Sequence, residues 1–187
     1  MKLKFSKASN NVKLRELGYK HMYTFSLPSG YSCPQAGICL SKAGKVTDGR
    51  ETVVRCFSAS DESRSPQART QRWYNFDLLR HHEHYSLDMS SLIQQSIPDD
   101  AEVIRIHVAG DFYNQRYFDG WLDVARMMPH IRFYAYTKSI QYWVNRLESI
   151  PSNLSLNASL GGTQDYLAYR YKLKTAKIVW SPEQAER

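Results

Sequence analysis

Three sets of residues in this chain have the types and spacing to do chemistry. The first is the thiol set Cys33, Cys39 and Cys56, arranged C-x5-C-x16-C. Sulfur donors match soft metals, and the loop holding Pro34 and Gly37 can fold Cys33 and Cys39 onto one ion. The spacing is neither that of a zinc finger nor that of a ferredoxin. Three thiolates without a fourth suit two designs: a four-iron iron–sulfur cluster (4Fe-4S) with one open iron, or zinc completed by a histidine or water. Lys42, Lys45, Arg50 and Arg55 would favour the thiolate forms. The alternative is three unligated thiols, and an odd count closes no disulfide framework.

The second set follows candidate strands: Gly110-Asp111-Phe112-Tyr113-Asn114, Thr137-Lys138-Ser139, and Asn157, Ser159, Gly161 and Gly162. Ligands of parallel α/β folds sit beyond the carboxyl ends of the strands, so these segments are expected to meet at one mouth. Asp111 suits a base or a partner for a ligand amine, and equally a helix N-cap. Lys138 suits a phosphate or carboxylate, and equally a solvated position. Gly161-Gly162 permits close backbone approach or a tight turn. The third set is Arg105 and His107, on one face of the strand VIRIHV, with Ile104, Ile106 and Val108 on the other. Polar groups in a covered strand are costly unless paired, so these two point into a polar site or form a structural pair. Arg64, Arg69 and Arg72 beside Trp73 and Tyr74 suit nucleotides, or packing. His81-His82-Glu83-His84 lacks the HExxH spacing and reads as surface. Absence of a Walker A loop, a GxGxxG fingerprint and a zinc-deaminase signature argues against the common ATPases, dinucleotide enzymes and base deaminases.

The elements that position these groups change character along the chain. Residues 1–64 are irregular and basic. Residues 1–50 hold nine Lys/Arg against two acidic residues, a net +7; residues 51–187 hold sixteen of each sign, a net zero. Such a segment attracts phosphate backbones or anionic small molecules, or keeps the surface solvated. A short strand is expected at Phe25-Ser26-Leu27, reaching back to Tyr23, and another at Val53-Val54. From Ser65-Pro66 a helix runs to about Arg80, and a short one spans Met89 to Gln95. Strands are expected at 103–108, 131–136, 153–159 and 176–180. Between them lie amphipathic helices carrying Phe118, Trp121, Leu122, Ala125 and Met128, then Ile140, Trp143, Val144 and Leu147. Ser181 to Arg187 reads as a first helical turn. Strands alternating with helices mean βαβ crossovers, right-handed by rule. The fold class is therefore α/β, with a mostly parallel sheet from βα repeats, open or a partial barrel, and an irregular cysteine-bearing N-terminal segment. One domain over 1–187 is expected, with 1–64 as that segment and 65–187 as a helical lead-in and parallel α/β body. A composition of 42% hydrophobic and 13% aromatic residues excludes wholesale disorder. No apolar run approaches the roughly 18 residues of a membrane span. MKLKFSKASNN has no apolar h-region, so a cytoplasmic location is expected.

The pieces FSLPSGYSCPQAGIC (25–39), RCFSASDE (55–62), RIHVAGDFYNQRYFDGW (105–121), FYAYTKS (133–139) and LNASLGG (156–162) together resemble the phage-encoded gene-product-88-like proteins, a family largely without assigned function. The resemblance covers roughly residues 20–180 and implies that Cys33, Cys39, Cys56, Asp111 and Lys138 occupy motif positions. The architecture also looks like that of radical S-adenosylmethionine enzymes, although the C-x3-C-x2-C hallmark is missing. That likeness implies S-adenosylmethionine on a cluster's open iron, with Gly110-Asp111 holding its amino group.

The leading expectation is thus a phage-encoded iron–sulfur protein, with Cys33, Cys39 and Cys56 on the cluster and Arg105, His107, Asp111, Lys138 and Asn157 lining the mouth above it. Asp111, Lys138 and His107 would be catalytic; Gly110, Asp111, Asn157 and Arg105 would bind the cofactor. The substrate would be an anionic small molecule, a nucleotide or nucleic acid. The alternatives are a non-enzymatic, metal-stapled module that binds nucleic acid or a host protein, and a virion or assembly component. No membrane partner is expected.

Overall fold

A computed structural model describes residues 1–8, 11–43, 55–85, 88–179 and 181–185. In chain order its elements are β1 (Ser6–Lys7), α1 (Val12–Glu16), β2 (Met22–Phe25), α2 (Phe57–Arg64), α3 (Pro66–His84), α4 (Met89–Ser96), β3 (Val103–Ile106), α5 (Gln115–Met127), β4 (Arg132–Thr137), α6 (Ile140–Val144), β5 (Leu154–Ser159), α7 (Asp165–Arg170), β6 (Thr175–Ala176) and α8 (Pro182–Ala185). The strands form one six-stranded sheet in the order β1-β2-β3-β4-β5-β6. β2 to β6 run parallel and β1 pairs antiparallel with β2. The fold is α/β with a mixed, mostly parallel sheet, and it does not close: no pairing joins the first strand to the last among the described residues.

Helix starts follow from capping chemistry. Ser65 caps α3, accepting from Ala68 N at 3.4 Å, with Pro66 at the first helical position. Asp88 caps α4 through Ser90 N and Ser91 N. Asn114 caps α5, accepting from Tyr117 N at 2.9 Å. The cap of α5 is therefore Asn114, and Asp111 is left for other partners.

Sequential strand order has a geometric consequence. Right-handed crossovers that always step the same way put every helix on the same side of the sheet. The core shows this. Phe25, Ile104, Ile106, Phe133, Ala135, Leu154, Leu156 and Ala158 all project to one face. They pack against Leu79 of α3, Ile93 of α4, Phe118, Trp121 and Leu122 of α5, Ile140 of α6 and Leu167 of α7. The opposite face carries Thr24, Arg105, Tyr134 and Ser155 in one row of registered partners, with Tyr136 beside Asn157 in the next. These residues are half-buried or exposed.

Residues 1–64 are more regular than expected among the described residues. They supply β1, α1, β2 and α2, and the first residues are bolted to the helix layer. Leu3 N donates to Ser96 Oγ at 2.8 Å, and Lys4 exchanges hydrogen bonds with Asn75. Periodicity is silent there because the elements are short. The strand expected at 25–27 lies at Met22–Phe25. The one expected at Val53-Val54 falls outside the described residues, as do Lys45 and Arg50 of the basic group expected around the thiols. β3 stops at Ile106 instead of Val108 because His107 takes φ 63°, a left-handed conformation that breaks the strand. β6 is two residues long, where a strand over 176–180 was expected.

Candidate functional site

Beyond the carboxyl ends of the parallel strands lies a cavity of about 430 Å³. Its walls come from the chain after each parallel strand and from the cysteine-bearing segments. The turn after β2 gives Ser29 and Gly30. The segment after β3 gives His107 through Asp111, with Arg105 below them; β4 and β5 end in Tyr136, Lys138 and Ser159. Lys177 and Ile178 follow β6, and Cys33, Cys39 and Cys56 complete the wall. Of the residues expected at the mouth, Arg105, His107, Gly110, Asp111 and Lys138 all line it. Asn157 does not; it sits beside Tyr136 on the uncovered face.

Asp111 is 5% exposed and joins β3 to β4. Its Oδ1 accepts from Thr137 Oγ1 at 2.6 Å and from Phe112 N at 2.8 Å; its Oδ2 accepts from Lys138 N at 2.8 Å. Burial pushes its carboxyl up to about 6, against the pull of these donors and of the Lys138 charge. It can therefore change protonation state close to neutrality, and Oδ2, with one donor, has capacity for another. Gly110 sets this geometry: it holds φ 79°, and a Cβ there would lie 2.5 Å from Ser32 Oγ and 2.7 Å from Leu27 Cβ.

Lys138 faces the other way. Its Nζ donates to Ser159 O at 2.9 Å, Ser159 Oγ at 3.2 Å and Leu160 O at 2.7 Å. All its ammonium protons are engaged by neutral acceptors, so it pins the end of β5 to β4 while its charge acts on the Asp111 carboxylate. The following Gly161 and Gly162 receive the cysteine loop. Ala36 bridges to Gly162, Ile38 N donates to Gly161 O at 3.2 Å, and Thr163 N donates to Gln35 O at 3.1 Å. A Cβ on Gly37 would come within 2.6 Å of Gly161 O, so this backbone contact requires glycine.

Arg105 and His107 carry unsatisfied donor or acceptor capacity. Arg105 Nε is buried without a hydrogen-bond partner, and its guanidinium lies 5.5 Å from the Tyr136 ring centroid. Among the described residues no carboxylate pairs with Arg105. His107 is 3% exposed, and its Nε2 is 2.9 Å from Tyr117 Oη. Its Nδ1 is buried and unpartnered. Burial, reinforced by the Arg105 charge, lowers its pKa to about 3 and holds the ring neutral.

The metal expectation is overturned here. Cys33, Cys39 and Cys56 are free thiols on one cavity wall. Among the described residues, however, no group of three or more His, Cys, Asp or Glu side chains is placed to hold a metal ion. Ligation needs thiolates converging at roughly 2.3 Å from one centre. Instead, burial pushes the Cys33 and Cys39 thiols up, toward the protonated form. The donor set fits neither the iron–sulfur cluster nor zinc. S-adenosylmethionine falls with it, because an open cluster iron was its expected anchor. The likeness to radical S-adenosylmethionine enzymes is left without support.

The model of the family described as Gene product 88 matches residues 1–187. The chain belongs to the Gene product 88 family. No curated protein and no solved structure matches it. Membership makes this a phage protein, and the family name carries no reaction. No helix among the described residues is long and apolar enough to cross a membrane.

Two features of the site escaped the sequence reading. Cys56 precedes α2, and α2 is held by a buried ion pair. Glu62, 1% exposed, accepts from Arg72 at 2.9 Å and from both Ser29 N and Ser29 Oγ at 2.9 Å. Arg72 also bonds Asp61 at 2.7 Å. Arg72 is thus a structural clamp, not a nucleotide contact. Tyr136 and Lys177 were missed because a tyrosine in a strand and a lysine after one carry no spacing signal.

Proposed function

We propose that this Gene product 88 protein binds a phosphate-bearing nucleotide, free or within a nucleic acid, in the strand-end cavity. What carries the reading is Arg105: a guanidinium with a buried, unpartnered Nε and no carboxylate beside it, at the wall of a cavity of nucleotide-sized volume. A half-buried cation without a counter-ion favours an anionic guest. Lys177 lines the same cavity, and the Lys138 charge adds to the field there. Tyr136 and the exposed Phe57 offer aromatic surface for a base.

In this reading Arg105 holds phosphate, His107 presents neutral Nδ1 to a polar group of the ligand, and Asp111 exchanges a proton with it at Oδ2. Lys138 positions the β5 loop and contributes charge. The ligand class belongs to the host cytoplasm, the expected compartment. Binding a host protein is the second reading, favoured by the exposed apolar residues Ile38, Leu40, Phe57 and Ile178 around the cavity loops.

Isothermal titration calorimetry with inorganic phosphate and with nucleoside mono- and triphosphates tests the proposal. A nucleotide should bind the wild type, and Arg105→Gln should weaken it by about tenfold or more, the effect of losing a charged hydrogen bond. Failure of every nucleotide to bind the folded wild type, or equal binding by Arg105→Gln, overturns it.

A further inference from the structure

We infer that the uncovered face of the sheet seats single-stranded nucleic acid, one nucleotide of which enters the cavity. The inference rests on the nucleotide reading above and narrows it from a free nucleotide to a strand.

Parallel sheets normally have both faces covered, and their strands read as continuous apolar runs. Here β4 and β5 alternate instead. Arg132, Tyr134 and Tyr136 on β4 share the uncovered face with Ser155, Asn157 and Ser159 on β5. Across β3 the row continues into Arg105 and then Thr24 of β2. No described strand residue on this face is acidic, and two are arginines. Met22 and Val103 are buried at the foot of this face; beyond them it is polar and cationic, which suits a polyanion better than an apolar partner.

The aromatic groups are placed for bases. Tyr134 and Tyr136 stand two positions apart on one strand, about 7 Å along it, with ring centroids 6.5 Å apart and planes at 85°, so each ring offers its face to a different base. Aromatic side chains on a sheet surface stack successive bases of single strands, while cations follow the phosphates. The rows also lead somewhere. Tyr136 and Arg105 belong both to this face and to the cavity wall, so a strand crossing β4 and β3 runs into the cavity without a break. Duplex is disfavoured, because its bases cannot reach a sheet-borne tyrosine.

Fluorescence anisotropy with a short fluorescein-labelled oligothymidylate tests the inference, alongside calorimetry with the mononucleotide. Wild type should bind the oligonucleotide with a strong salt dependence. Tyr134→Ala should weaken oligonucleotide binding about tenfold and leave mononucleotide binding unchanged, while Tyr134→Phe retains both. Should Tyr134→Ala fail to fold by circular dichroism, the exposed Arg132→Gln decides. It should reduce the slope of log affinity against log salt by about 0.7. A wild type that binds mononucleotide but not oligonucleotide overturns this inference and leaves the cavity reading standing. Binding of neither removes both. Oligonucleotide affinity unmoved by Tyr134→Ala, or a salt slope unmoved by Arg132→Gln, also overturns it.

Discussion

Asp111 offers a quantitative test, because its environment opposes its charge and its hydrogen bonds support it. The folded-state pKa is raised from 3.8 to about 6 by burial. Between those values the native chain holds a proton that the unfolded chain has released. Stability rises with pH only where the unfolded state binds more protons, so here it must fall as pH increases. Over the interval from 3.8 to about 6, at about 1.4 kcal/mol per pH unit, the loss is about 3 kcal/mol. Because the group is buried, solvent screening gives no reason to reduce that figure. Asp111→Asn removes the titration. Its amide still accepts from Thr137 and Phe112, but it turns an NH2 toward Lys138 N, at the expense of one hydrogen bond at all pH values. Urea unfolding followed by circular dichroism, for both proteins from about pH 3 to about pH 7, isolates the effect. Other titrating groups cancel in the difference. Wild type minus variant should decline by about 3 kcal/mol as pH rises, with most of the fall below about pH 6. A difference flat to within about 0.5 kcal/mol would show that the three donors fully offset burial. Asp111 would then be an ordinary ionised clamp with no proton to exchange near neutrality.

Two further outcomes follow from the same geometry. Arg72→Ala should cost about 3–5 kcal/mol in urea unfolding because it strands the Glu62 carboxylate, and Glu62→Gln with Arg72→Met should recover part of that; a cost under about 1 kcal/mol would show that the pair is not buried in solution. With Ellman's reagent near neutral pH, Cys33 and Cys39 should react more slowly than a free cysteine, and zinc or ferrous iron should leave the Tm unchanged; stoichiometric metal uptake with a raised Tm would refute the reading of the thiols as a non-ligating set.

What could be read from the chain tracks how each feature is encoded. The body from α3 to β5 was legible because long periodic helices and β-branched strands repeat the same signal over many residues. The strand-end rule then brought Arg105, His107, Asp111 and Lys138 to one mouth without any contact information. The cysteines mislead for the opposite reason. Residue type and spacing permit convergence but do not set sulfur direction or protonation, and here loop docking on Gly161 and Gly162 puts the thiols on a wall without making a ligand set. The Glu62–Arg72 clamp was invisible because a charged pair ten positions apart looks like any solvated helix surface until burial is known. The end of β3 at Ile106 could not be foreseen, since nothing in VIRIHV announces that His107 adopts a positive φ.

The sequential strand order also bears on how the chain condenses during synthesis. From β3 onward each new strand lies against the one made just before it, so the units can accrete in order as they emerge. The exception is the junction of β2 with β3, whose intervening chain from Ser26 to Glu102 includes α2, α3 and α4. Closing that long loop is the entropically expensive event, and it is the one step in the sheet that the sequential order does not make local.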